Sequence, residues 1–152
     1  MAVTNVYLLP NNRFIIEFDD RTPLSGMGNY TFFAGVQAWL NTPNVPVPAS
    51  PITDGHLDAA RAYQKYIVRS AKRQEIGQIF TNVDPIEFAV SFSGDSTITK
   101  GVNNSTVETI LNDINAEVAA VHAAIDLETD ISTIFNSFYT PQHPELNGGT
   151  IS

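Results

Sequence analysis

Six aliphatic residues, Val107, Leu111, Ile114, Val118, Val121 and Ile125, recur at intervals of four, three, four, three and four. Only an α-helix returns its side chains to one face at that interval, so the run specifies a helix with a narrow apolar seam. Val107, Ile114 and Val121 take the d positions of a heptad, and Leu111, Val118 and Ile125 the a positions. Ser105-x-x-Glu108 reads as a capping box, which predicts a helix over 105–126, about 30 Å long. Such a seam packs either on the chain's own strands or on the helix of a neighbouring copy. β-Branched residues at both positions favour three or more strands over two.

The remaining elements predict an α+β fold. Val3–Leu9 and Arg13–Phe18 are rich in strand formers, and Pro10-Asn11-Asn12 between them supplies a fixed φ followed by residues that tolerate left-handed geometry. This gives a first hairpin over about 3–18, followed by a loop containing Gly26 and Gly28. Residues 29–40 are aromatic without a clean period and lean to strand, with Gly35 marking a bulge or close packing. A long helix is predicted over 54–73, capped by Thr53 or Asp54. Ile86, Phe88, Val90 and Phe92 alternate with smaller or polar residues. With a turn at Gly94-Asp95 and a Thr-rich edge to Lys100, they give a second hairpin over about 85–100. A short helix over 129–139 follows, with Ile131, Ile134, Phe135 and Phe138 as its stripe. Residues 1–140 then form one domain, and 141–152 a polar tail.

Prolines at 43, 46, 48 and 51 exclude a helix from 41–51 and make an extended, polyproline-like arm. It serves either as a stiff connector or as a strap across a neighbouring subunit, with Val45 and Val47 as its apolar contacts. Arg61, Lys65, Arg69 and Lys72 or Arg73 line one face of helix 54–73, while residues 101–152 hold acids and no Lys or Arg. That basic face is either solvated or docked on the acidic C-terminal third, within the chain or in the next copy. A net charge of −8 argues against a nucleic-acid partner.

A chain of 152 residues with 43% hydrophobic composition can build a core unaided. Its lack of cysteine excludes disulfides, thiolate metal sites and a Cys nucleophile. No HExxH, phosphate loop or G-x-S-x-G elbow is present. His56, His122 and His143 read as structural or solvated side chains. Asp126-x-Glu128-x-Asp130 opens like a calcium loop, but Ile131 stands where that loop requires glycine and Ser137 where it requires Glu. No catalytic residue, cofactor or metal is therefore expected. The apolar run Val6–Leu9 stops at Pro10, and no segment reaches the ~20 apolar residues of a membrane span. Neither a signal peptide nor a membrane partner is expected.

Abundant Asn and Thr, only three lysines and no cysteine give the chain a composition similar to that of tailed-bacteriophage virion proteins of the tail, baseplate or neck. The resemblance is one of overall composition and rests on no motif. It implies a non-enzymatic structural subunit made in the host cytoplasm and incorporated in a virion, with other copies of itself and other virion proteins as partners in a homo-oligomer. The residues expected at subunit contacts are the heptad seam, Arg61, Lys65 and Arg69, and Val45 and Val47 of the arm. Two alternatives stand beside this. One is a glycan- or protein-binding module using Tyr30, Phe32, Phe33 and Trp39. The other is a small enzyme with an unmarked site.

Overall fold

In the structure, a computed structural model that describes residues 2–77, 97–100, 103–140 and 150–151, the chain is α+β. It divides into two units, residues 1–65 with 125–136 and residues 66–124 with 137–152. Strands β1 (Val3–Leu9) and β2 (Arg13–Phe18) form the expected hairpin, with Asn11 and Asn12 at φ of 61° and 60°. β3 (Leu24–Met27) adds antiparallel to β2, where sequence patterning predicts a loop. Gly26 makes that strand possible, because a Cβ there would lie 2.5 Å from the ring of Phe14.

A bulge shifts the register of β1 between Val3 and Asn5. Val3 and Val6, three residues apart, therefore share a face, and Val3, Val6, Phe14, Ile16 and Val36 form a core cluster. Ile15 points the other way and is equally buried. With both faces covered, β2 reads as the uninterrupted run Phe14-Ile15-Ile16.

Residues 29–40 are helical, not extended. Asn29 caps a 3-10 turn (Tyr30–Phe32) by accepting from the Thr31 amide, and α1 (Val36–Leu40) follows Gly35, whose φ is 85°. Local side-chain capping and one left-handed glycine override the β-propensity of the aromatics. Gly35 also packs closely, since a Cβ would meet the Val3 side chain at 3.3 Å. Within the arm, β4 (Val47–Pro48) pairs parallel to β1, and Ala49 donates to the Leu8 carbonyl, so this stretch lies along its own sheet. The strand order is β3-β2-β1-β4. Pro48 is tolerated because β4 is an edge.

Helix α2 (Asp54–Gly77) outlasts its predicted end at 73. Its last turn carries a buried Glu75 that accepts a hydrogen bond from the Tyr139 hydroxyl. In the second unit, β5 (Thr97–Lys100) lies between β6 (Asn103–Thr106) and β7 (Thr150–Ile151), both antiparallel to it. The Thr-rich strand is thus central, not an edge. Its predicted partner over 86–92 and the Gly94-Asp95 turn lie outside the described residues. Helix α3 (Val107–Leu127) begins directly after β6. Ser105 pairs with Ile98 in that ladder, so it does not serve as the N-cap.

Ile114, Val118 and Ile125 of the heptad seam are buried in the single chain, while Leu111 and Val121 are half-buried and Val107 opens the helix. The last helix, α4 (Ile131–Phe135), is shorter than predicted. Asp130 caps its start and Asn136 its end, which leaves Phe138 off the stripe and exposed.

Candidate functional site

The strongest polar cluster in the first unit is centred on His56, which is 2% exposed at the start of α2. Thr53 and His56 form a reciprocal cap. The Thr53 hydroxyl accepts from the His56 amide at 3.2 Å, and His56 Nδ1 accepts from the Thr53 amide at 3.2 Å. This is a capping box in which histidine replaces the usual Glu or Gln at the third helical position. With Nδ1 accepting, the ring proton sits on Nε2 and is donated to Glu17 Oε1 on β2, 3.0 Å away. Glu17 also accepts from Asn5 Nδ2 at 3.1 Å, and the Tyr7 ring tilts against the imidazole at 4.7 Å. Burial, then the Glu17 charge and its hydrogen bond, hold the Tyr7 hydroxyl above its usual pKa. Both imidazole nitrogens are committed, so the cluster's chemistry is to lock α2 onto the sheet.

The basic face of α2 also turns inward in part. Arg61 donates from Nε and Nη2 to the Glu128 carbonyl at 3.1 and 2.6 Å and pairs with Asp58, while Lys65 pairs with Asp126 at 2.7 Å. Of the two docking partners left open by the sequence, the acidic segment of the same chain receives these two cations. Arg69 is exposed. The Asp126-Glu128-Asp130 triplet is divided among other tasks. Glu128 accepts from the amides of Thr129 and Asp130, and Asp130 accepts from the Thr133 amide and hydroxyl. Those Thr133 hydrogen bonds hold the Asp130 carboxyl below its usual pKa. Among the described residues, no group of three or more His, Asp and Glu side chains could hold a metal ion.

Between Thr22 and Thr53, the stretch that holds the aromatics and the Val45 and Val47 contacts expected from the sequence, no residue is charged. That absence of charge was visible in the sequence, but its meaning depends on exposure. Phe32 is 86% exposed, Val45 75%, Met27 59% and Val47 47%. Phe32 stands on a rigid base. The flanking Tyr30 and Phe33 rings pack edge-on against Phe14 at 6.1 and 5.3 Å, and Asn29 caps the turn. In the same segment an apolar cavity of about 270 Å³ is walled by Ala2, Val3, Gly35, Ala38, Trp39 and Thr42. Trp39 is fixed there by donating its indole N–H to the Thr4 carbonyl at 3.1 Å. Of the four aromatics expected on a binding face, Phe32 is the one that stands clear of the fold.

Among the described residues, no helix is long and apolar enough to cross a membrane. Compared with protein-family models, with curated proteins and with solved structures, the chain matches none of them.

Proposed function

We propose that this chain is a non-enzymatic structural subunit of a multi-copy assembly, a tail, baseplate or neck component of a tailed-phage virion that works by subunit packing. The observation that carries this reading is the uncharged 22–53 segment with its exposed apolar side chains, Phe32 above all. Protein interfaces differ from other surfaces in being depleted of charge at their centre and enriched in aromatics and Met. An ordinary solvated surface of this length would carry several charges. Because Ile114, Val118 and Ile125 are buried within one chain, packing between copies on this reading uses residues of this segment in preference to the heptad seam. Light scattering of the intact chain over a hundredfold concentration range tests the role. Oligomers that grow with concentration are expected, and a strict 16.6 kDa monomer throughout would refute it.

A further inference from the structure

We infer that the exposed stripe of α2 is a contact between two copies of the chain, joined antiparallel so that Tyr66 and Arg69 of each meet Ala62 and Asp58 of the other. This adds a contact to the assembly role proposed above and rests on it.

The stripe is read along one helix. Asp54, Asp58, Ala62, Tyr66, Arg69 and Arg73 are exposed and follow one another at intervals of four, four, four, three and four, so they share the solvent face of α2. Charge is segregated along that face, with two carboxylates at the start, an alanine and a tyrosine in the middle, and two guanidinium groups at the end. Asp58 pairs with Arg61 and is still 75% exposed. Arg61 and Lys65 are themselves taken up by the Glu128 carbonyl and Asp126 of the same chain. Arg69 and Arg73, by contrast, have no ionic partner among the described residues.

This order of charges is its own complement when reversed. Laid antiparallel, a second α2 sets Arg69 opposite Asp58 and Tyr66 opposite Ala62, with Arg73 towards the turn that holds Asp54. Two-fold symmetry makes each contact twice. A parallel pair would set carboxylate on carboxylate and guanidinium on guanidinium. An acidic partner would satisfy the Arg69 half and be repelled by the Asp58 half, and a basic partner the reverse. A second copy satisfies both halves at once, although the net charge of −8 keeps copies apart elsewhere.

Shape agrees with charge. Beside Ala62 a cavity of about 260 Å³ is lined by Thr22, Pro23, Gly55, Asp58, Ala59 and Ala62. The one charge in that lining is the Asp58 carboxylate. The Tyr66 ring of the second copy, 54% exposed in the free chain, has room there, while its Arg69, one turn further along the same face, reaches the carboxylate. Tyrosine and arginine are also among the side chains that most often anchor protein interfaces.

The test uses the full chain and light scattering at one fixed ionic strength. Asp58→Lys turns the attraction to Arg69 into a repulsion, and Arg69→Glu does the same towards Asp58. Both positions are exposed, and circular dichroism confirms that each variant is folded. Each variant alone is expected to associate at least ~10-fold more weakly than the native chain, because both symmetry-related pairs become repulsive. An equimolar mixture of the two is expected to recover association. The Asp58→Lys copy keeps Arg69 and the Arg69→Glu copy keeps Asp58, so every pair across the mixed dimer is again opposite in charge. If the native chain assembles and both variants assemble equally well, this contact is wrong while the assembly role stands. If both variants are weakened but the mixture does not recover, the antiparallel pairing is overturned. A native chain that never associates overturns the contact and the assembly role together.

Discussion

Replacing His56 by alanine removes three interactions at once: the acceptor for the Thr53 amide, the donor to Glu17, and the ring packed against Tyr7. Loss of a helix cap costs about 1 kcal/mol. A hydrogen bond to a carboxylate that is only partly exposed contributes about 1.5 kcal/mol. The cavity left at a 2% exposed position adds about 1 kcal/mol. His56→Ala is therefore expected to lower stability by roughly 3–4 kcal/mol, or about 6–15 °C in melting temperature for a chain of this size. His56→Gln separates the causes. Glutamine is a regular capping-box partner at this position, so it restores the acceptor for Thr53 and should recover about half of the loss. Urea unfolding followed by Trp39 emission measures both variants. Pairing His56→Ala with Glu17→Ala in a double-mutant cycle should give a coupling of about 1 kcal/mol. Equal losses for the Gln and Ala variants would refute the capping role, and a loss under about 1 kcal/mol for His56→Ala would refute the whole network.

Three further outcomes follow from contacts described above. Gly26→Ala drives a methyl into the Phe14 ring and should cost about 1–3 kcal/mol in denaturant unfolding, since the ring lies in a packed core. Arg61→Ala should cost about 2 kcal/mol, and Arg61→Lys should regain less than half of that, because a single ammonium cannot reproduce the two-pronged contact with the Glu128 carbonyl. Asp130 has a folded pKa below its unfolded value of 3.8, so its contribution is complete above that value and disappears as pH falls through the folded one. Asp130→Asn, which keeps a capping oxygen but cannot titrate, should therefore flatten the acid limb of thermal stability below about pH 4; an unchanged limb would assign the acid response to other carboxylates.

The elements set by local chemistry were legible from the residues alone. Asn11 and Asn12 tolerate the left-handed geometry of the first turn, and the four-three spacing from Val107 to Ile125 defines a helix wherever the chain folds. Thr53 or Asp54 was recognisable as a helix cap for the same reason, and it is Thr53 that accepts from the His56 amide. What the tertiary structure decided were the contacts made across long separations. His56 meets Glu17 only because β2 lies against the start of α2, and Arg61 reaches a carbonyl 67 positions away. The strand at Leu24–Met27 exists because Gly26 sits beneath Phe14, a closeness that no local pattern encodes. Residues 29–40 look β-prone in isolation, yet the Asn29 cap and left-handed Gly35 make two short helical turns, and packing of Tyr30 and Phe33 on Phe14 leaves Phe32 in solvent. The sequence by itself determined the first hairpin turn and the two long helices, whose hydrogen bonds are made within a few residues, but not the short helical turns over 29–40. Which apolar side chains are buried and which are left outside depended on the whole fold, because burial is shared among segments that only the fold brings together.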